Sequence, residues 1–205
     1  PMTRTLALRC RCGDVTADVA DVCAATANRV TCYCDDCRAF LRFVGRADLL
    51  DPHGGVDLVQ VRGSAVRFAR GTDGVLCVRL SPRGMYRCYA ACCGTPLGNT
   101  VSRGVPFVGL ARASLDVDPR DELRTFGPSI GCNARFALGG VPEGAHPSAS
   151  LALIARTVAR LARWKLASRG GESAYFDRAG APRVTPRVLT REERDALRAA
   201  DALAA

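Results

Sequence analysis

The chain has 205 residues, of which 48% are hydrophobic, so it is long enough for one sizeable domain with a buried core and too apolar for overall disorder. Its formal net charge is +9, but basic charge alone supports only non-specific phosphate contacts, and with so few aromatic residues we expect no nucleic-acid partner. The sequence shows no secretory signal and no apolar run of membrane-spanning length, so we expect a cytoplasmic protein without a membrane partner.

Most of the chain up to about residue 138 favours short strands separated by turns. One short helix is expected to interrupt them, capped by Asp35 or Asp36 and ended by Gly45. This density of short strands predicts a mainly β fold of folded-over antiparallel sheets rather than an α/β fold. The predicted strands are 5–10, 15–19, 29–33, 56–61, 65–69, 75–80, 85–89, 107–111 and 130–138.

After residue 142 the pattern becomes helical. An apolar stripe that includes Leu151, Val158 and Leu166 predicts an amphipathic helix of about 18 residues. We expect this stripe to pack on the β core, and a dimer contact is the alternative. The spacing of Thr190 and Glu193 is that of a capping box, which predicts a final alanine-rich helix.

Eleven cysteines are far more than a typical cytoplasmic chain carries, and an odd number cannot all pair as disulfides within one chain. The most compact group is the C-x-C-x-x-C motif of Cys32, Cys34 and Cys37, called the Cys32 cluster below. Three thiolates at a strand-to-helix junction can converge on one zinc ion and leave a fourth position for water or substrate, as in catalytic sites. A structural site closed by a distant ligand and a metal-free redox group are the alternatives.

A second group is split along the sequence. Cys10 and Cys12 form a short chelating turn, and Cys88, Cys92 and Cys93 lie far downstream. Two pairs from separate hairpins that close one tetrahedral site would make it structural, because all four positions are filled. Chance clustering of buried thiols is the alternative interpretation.

The remaining candidate residues carry weaker signals. Cys23, Cys77 and Cys132 have no partners at ligand spacing; Cys77 is expected in the core, and Cys132 is ambiguous. His53 and His146 both lie in turn sequences, where exposed loop residues are expected rather than ligands or bases.

These motifs together resemble those of the glutathione-dependent formaldehyde-activating enzyme (GFA)/CENP-V-like family, which has a folded-over, zinc-binding β fold of the Mss4-like type. The matching features are C-x-C-G at 10–13, C-x-C-x-x-C followed by Arg38 and Phe40, and Cys-Gly-Thr-Pro-Leu at 93–97. The resemblance covers about residues 6–115 and is strongest to an uncharacterised branch of the family.

The resemblance implies one or two Zn²⁺ per chain. It implies that Cys10 and Cys12 join a downstream pair in a structural site, and that the Cys32 cluster holds a second, catalytic zinc. Family reactions make or break a carbon–sulfur bond in thiol adducts such as S-hydroxymethylglutathione, which implies a lyase-type activity with glutathione or another small thiol as partner. Residues 1–140 would then be the zinc-binding β domain, and 141–205 a helical C-terminal extension packing on it.

The downstream motif departs from the family pattern, which is C-x-x-C-G. Cys93 matches its second cysteine, but Ala90 occupies the position of the first. We expect Cys92 and Cys93 to be the ligands, and Cys88 is the alternative to Cys92. The departure keeps a second function open, a non-catalytic zinc-binding interaction module, and both a monomer and a homodimer remain possible.

Overall fold

The computed structural model describes residues 2–167 and 172–200, and its fold is mainly β, as predicted. None of the helices in these ranges is long and apolar enough to cross a membrane. The strands are β1 (Arg4–Arg9), β2 (Thr16–Val22), β3 (Asn28–Cys32), β4 (Val56–Arg62), β5 (Val66–Arg70), β6 (Val75–Arg79), β7 (Tyr86–Ala90), β8 (Pro96–Thr100), β9 (Phe107–Ala111), β10 (Ile130–Cys132) and β11 (Arg187–Val188). The α-helices are α1 (Asp35–Phe43), α2 (Glu122–Phe126), α3 (Leu151–Ala167) and α4 (Arg191–Ala199).

The strands form two sheets that share one core. The small sheet has the order β1-β2-β5, and the large sheet has the order β10-β3-β4-β9-β8-β7-β6-β11. Pairing is antiparallel except at the two edges of the large sheet, where β10 runs parallel to β3 and β11 parallel to β6. Leu8 and Val19 of the small sheet are buried in the same cluster as Leu97 and Leu110 of the large sheet. The hydrophobic effect therefore holds the two sheets together.

The strand predictions lack the two-residue β11 and differ from the structure at two further places. Strand β8 is absent from the predictions because its Pro96–Thr100 sequence contains glycine and proline, which are typical of turns. Gly98 within it has φ +155°, and a Cβ there would lie 2.5 Å from the Tyr175 hydroxyl, so close packing explains the glycine. The predicted strand 130–138 ends after three residues, because Asn133 adopts a left-handed conformation with φ +58°.

The start of α1 is capped differently from the prediction. Cys34, not Asp35 or Asp36, is the N-cap residue, and it makes no side-chain capping bond. The two aspartates lie in the first turn instead, where their carboxylates pair with Arg198 of α4 at 3.1 and 2.6 Å. The final helix α4, whose Thr190–Glu193 capping box is confirmed, is thereby tied to the helix that carries the Cys32 cluster.

Helix α3 is present as predicted, but the prediction that its apolar stripe packs on the core is wrong. Leu151, Val158 and Leu166 are 86%, 60% and 63% exposed, and the buried residues are Leu153 and Trp164 on the opposite face.

Polar groups attach this opposite face of α3 to the β domain. Arg156 and Arg160 each donate a hydrogen bond from Nη2, to the backbone carbonyls of Arg29 and Ala24 at 3.0 and 2.9 Å. The helix is therefore held by its arginines and presents its apolar stripe outward, which the hydrophobic pattern alone cannot reveal.

Candidate metal centres

The first candidate centre, called the Cys10 cluster below, joins the two sheets. Cys10 and Cys12 lie in the turn that follows β1 of the small sheet, and Cys92 and Cys93 lie in the turn between β7 and β8 of the large sheet. The four sulfur atoms all lie within 4.8 Å of one another. The structure thus brings together the four residues that the sequence selected for a structural site.

Glycines shape both turns. Gly13 and Gly94 have φ of +82° and +67°, a backbone region that glycine adopts without steric cost. A Cβ on Gly94 would lie 1.9 Å from the carbonyl oxygen of Val44, so no other residue fits there. In the first turn the backbone N–H of Val15 donates to Cys10 Sγ at 3.2 Å. N–H groups that donate to sulfur in this way stabilise thiolate ligands.

Thr95 links the two turns, a role that the sequence analysis missed. Its hydroxyl accepts a hydrogen bond from the backbone N–H of Arg11 at 3.0 Å and lies 3.1 Å from Cys93 Sγ. The same oxygen accepts from Arg46 Nη1 at 3.2 Å, and Arg46 is buried and paired with Asp48. A threonine two residues after a ligand cysteine is the only sequence signal for this contact.

The four thiols of the Cys10 cluster are close enough together to hold a metal ion. Cys12 and Cys92 are both exposed, yet their sulfurs lie 2.9 Å apart, and Cys10 Sγ lies 3.3 Å from Cys12 Sγ. All four cysteines are free thiols rather than disulfides. Exposed thiols gain nothing from core burial by converging, so the alternative of chance clustering among buried thiols does not explain this arrangement.

The electrostatics of the Cys10 cluster lead to the same conclusion. Contact with Cys12 raises the pKa of Cys92 well above its ordinary value, because neighbouring thiolates repel. Burial is the largest single influence on the pKa of Cys93 and raises it, but the hydrogen bonds with Thr95 and Cys12 together outweigh burial and the pKa falls to about 6. A divalent cation removes the repulsion and allows all the thiols to ionise.

The alternative ligand Cys88 lies elsewhere. It faces Cys77 across the β6–β7 pair, and both side chains are buried in the core between the sheets. Ala90, the departure from the family motif, is a fully buried residue near the end of β7. Of the two candidates that the sequence left open, Cys92 therefore belongs to the Cys10 cluster and Cys88 does not. The Cys92 sulfur lies 3.7 Å from that of Cys93.

The Cys32 cluster lies at the junction of β3 and α1. Cys32 is the last residue of β3, Cys34 is the N-cap of α1, and Cys37 lies in its first turn. Their sulfurs all lie within 4.8 Å of one another, and those of Cys32 and Cys34 are 3.4 Å apart. Cys32 and Cys37 are buried, whereas Cys34 is half-buried. The positive end of the α1 dipole favours negative charge at this position.

The pKa shifts in this cluster show that the three thiols cannot all ionise without a cation. Contact with Cys32 raises the pKa of Cys34 far above its ordinary value and that of Cys37 to about 11. Contact with Cys132 acts to raise the pKa of Cys32, but hydrogen bonds from Cys34 and Cys37 outweigh it and the pKa falls to about 7. The isolated cluster thus carries about one thiolate at neutral pH.

Arg87 provides a fixed positive charge beside the Cys32 cluster. Its side chain is buried, with Nη1 3.9 Å from Cys37 Sγ and the guanidinium carbon 5.4 Å from the Phe40 ring centre. No carboxylate pairs with Arg87 in the part of the chain that the structure describes. A buried cation needs a counter-charge, and thiolates at the cluster supply one. The sequence analysis missed Arg87, which lies 50 residues from Cys37 on β7.

The remaining histidines and cysteines singled out in the sequence lie outside the two clusters, among the described residues. His53 Nδ1 lies 3.0 Å from the carbonyl oxygen of Leu138 and is half-buried, whereas His146 is exposed, as expected of a loop residue. Among the described residues, neither histidine belongs to a cluster that can hold a metal. Cys132, ambiguous from sequence, lies beside Cys32. Cys23 is buried next to Thr26, whose backbone and hydroxyl it contacts.

Comparison with known proteins identifies a family but no activity. No protein with a curated description matches the chain. Among solved structures, the chain is similar to a Rhodobacter sphaeroides protein from a structural genomics programme. The two are 24% identical, the match covers 56% of this chain and 93% of that chain, and the TM-score is 0.39. The model of a family of unknown function, DUF6151, matches residues 2–184, and the chain therefore belongs to this family.

Proposed function

We propose that the protein binds zinc at both clusters and uses the Cys32 cluster to bind a small thiol such as glutathione in carbon–sulfur lyase-type chemistry. The observation that carries this proposal is the convergence of three thiols within 4.8 Å at the start of α1. Tetrahedral zinc with three protein ligands has a fourth position for an exogenous ligand, which is the usual arrangement of catalytic sites. The four-thiol Cys10 cluster fills all positions and is the structural site.

The residues of both clusters fit zinc in particular. Each donor is a sulfur, and thiolate sets of this kind select zinc, Cu(I) or iron–sulfur clusters over calcium, magnesium or manganese. In the Cys10 cluster the Cys92–Cys93 and Cys10–Cys92 sulfur separations of 3.7 and 3.8 Å match the ~3.8 Å edge of a zinc tetrahedron with ~2.3 Å bonds. Cys12 and Cys92, at 2.9 Å, would move apart to admit the ion.

Cys32, Cys34 and Cys37 would hold the zinc, which would supply a Lewis acid able to stabilise a substrate sulfur as thiolate. The protein's own groups set the conditions for this chemistry. Cys34 is half-buried, so the cluster is accessible from solvent on its side. Arg87 and the amino end of α1 offset the negative charge of the ligands on the buried side. The reaction would be the reversible addition of a thiol sulfur to an aldehyde carbon, as the resemblance to the GFA/CENP-V-like family suggests.

Cobalt substitution tests the open position directly. Adding glutathione to the cobalt-loaded protein should shift the visible absorption bands, because an external thiolate enters the coordination sphere. The same titration followed by an aldehyde screen should show metal-dependent turnover of thiol and aldehyde.

The matched control for this titration is Cys37→Ser, which removes one ligand of the Cys32 cluster and leaves the Cys10 cluster intact. The glutathione-dependent shift should disappear in this variant. A spectrum of the unmodified protein that does not respond to millimolar glutathione or other small thiols would contradict the proposal.

A second candidate function, an interaction module that associates with a second copy of the chain, is favoured by the outward apolar stripe of α3. Its residues are spaced almost symmetrically around Val158: Ile154 and Ala162 lie four residues to either side, and Leu151 and Leu166 lie seven and eight. Two such helices packed antiparallel around a twofold axis bury every one of these side chains.

The charges of α3 are compatible with this pairing. The exposed Arg163 and Lys165 lie in its second half. Antiparallel packing therefore places them opposite the uncharged first turn of the other copy, not against like charges.

Light scattering tests the association. The 21.8 kDa chain should have about twice this mass in solution, and Val158→Asp should return it to the monomer mass, because a buried unpaired carboxylate is strongly unfavourable. Leu123→Asp is the control, since Leu123 on α2 is 66% exposed and lies outside α3. A monomer at all accessible concentrations would exclude the second candidate.

A further inference from the structure

The parallel pairing of β10 with β3 places a fourth cysteine beside the Cys32 cluster. Cys132 pairs in register with Cys32, and in-register residues of adjacent strands project from the same face of a sheet. The two sulfurs are close enough for one amide nitrogen, Asn133 Nδ2, to contact both of them. Both side chains are buried, in the same cluster as Cys37. The 100 residues that separate the two cysteines conceal this contact in the sequence.

Asn133 contacts both sulfurs. Its Nδ2 donates to Cys32 Sγ at 3.6 Å and to Cys132 Sγ at 3.9 Å. The residue adopts a left-handed backbone conformation with φ +58°, which asparagine tolerates better than most residues. N–H groups that donate to sulfur are a common second layer around zinc thiolates, where they orient the ligands and tune the metal. Because one amide group contacts both sulfurs, Cys32 and Cys132 belong to one site.

We propose that Cys132 is the fourth thiolate ligand of the zinc at the Cys32 cluster and closes that site in the resting protein. Cys132 Sγ is not one of the three sulfurs that all lie within 4.8 Å of one another, so it is the outermost of the four. Rotation about its single side-chain torsion is enough to move the sulfur relative to the strand. A ligand held this way is also the one that exchanges most readily.

This inference rests on the proposed function, which identifies the ligand that replaces Cys132 as a small external thiol. When an external thiol enters, Cys132 leaves the metal and takes up the proton that the incoming thiol loses, so atoms and charge balance. The closed resting state protects the metal site from water and from adventitious ligands until a thiol arrives. Cys132 thus acts as an internal competitor of the substrate, and its removal should strengthen external thiol binding.

X-ray absorption at the zinc edge tests the ligand count in the unmodified protein loaded with two zinc ions per chain. Four thiolates at each site give an average of four sulfurs per zinc, whereas a three-thiolate Cys32 cluster gives about 3.5. We expect four. A count of about 3.5 in the unmodified protein would overturn the inference, and this measurement does not depend on the folding of any variant.

Cys132→Ala provides the second readout. We expect its sulfur count to fall to about 3.5 and the glutathione concentration at half-saturation of the cobalt spectrum to fall at least about tenfold. A merely structural role would not strengthen thiol binding. Cys23→Ala, another buried cysteine outside both clusters, should change neither value.

The two proposals fail in different ways. A half-saturation concentration in Cys132→Ala equal to that of the unmodified protein would overturn the role of Cys132. If Cys132→Ala, with its fourth metal position open, still binds no glutathione, the proposed thiol-binding function fails. The sulfur count from X-ray absorption of the unmodified protein still decides whether Cys132 is a ligand.

Discussion

Replacing Cys92 by serine should lower the midpoint of thermal unfolding by about 8–16 °C in the zinc-loaded protein. Cys10 and Cys92 lie 82 residues apart in the chain, so only the folded protein brings both of them onto one metal ion. Binding to the folded state alone stabilises it by about 4 kcal/mol when the free ion is present at about 1,000 times its Kd, and each kcal/mol corresponds to roughly 2–4 °C for a chain of this size. The effect is large because the cluster joins the small sheet to the large one.

Differential scanning calorimetry with and without a strong chelator checks this expectation. The chelator should lower the midpoint of the unmodified protein substantially, and the variant should lose most of this sensitivity. Cys23→Ser is the matched control, since Cys23 is buried but belongs to neither cluster, and it should keep the full chelator effect. A Cys92→Ser protein that unfolds at the unmodified midpoint would show that no metal joins the sheets at the Cys10 cluster.

Local chemistry explains which parts of the sites were predictable from the sequence. The Cys32 cluster spans six residues, so the bend from β3 into α1 is sufficient to bring its sulfurs together. Glycines after Cys12 and Cys93 identified the two turns of the Cys10 cluster, because those turns require a left-handed backbone. Because Ala90 occupies the position of the first cysteine in the family motif, the sequence could not decide between Cys88 and Cys92 as the fourth ligand. The β6–β7 strand pairing decides it, since it places Cys88 opposite Cys77.

Features that depend on long-range contacts were not predictable. The contact of Cys132 with Cys32 arises from a parallel strand pair whose members are 100 residues apart. Arg87 approaches Cys37 from β7 on a different part of the large sheet. For helix α3, periodicity located the helix but not its inward face. That face buries Leu153 and Trp164 and carries the hydrogen bonds from Arg156 and Arg160 to backbone carbonyls.

Replacing Cys37 by serine should lower the zinc content from about two ions per chain to about one. Cys37 is buried and in contact with both other thiols of its cluster. Without it, Cys32 and Cys34 are left with only the exchangeable Cys132 as a further donor, which is too little for tight binding. Elemental analysis of the purified proteins measures this directly. The Cys10 cluster, which contains none of these residues, should retain its ion. An unchanged content of two would show that Cys37 is dispensable, and a content of one in both proteins would show that only the Cys10 cluster binds zinc.

The pH dependence of zinc binding gives the same cluster an independent signature. The pKa of Cys34 is raised far above its ordinary value and that of Cys37 to about 11, so both are protonated in the metal-free protein at neutral pH. Zinc binding must therefore release at least two protons, and its affinity should rise with pH. Two protons correspond to about a hundredfold per pH unit between pH 6 and 8. Competition with a chromophoric chelator at several pH values measures the slope. In Cys37→Ser only the pH dependence of the ion at the Cys10 cluster should remain, and a pH-independent affinity in the unmodified protein would mean that these thiols do not ligate the metal.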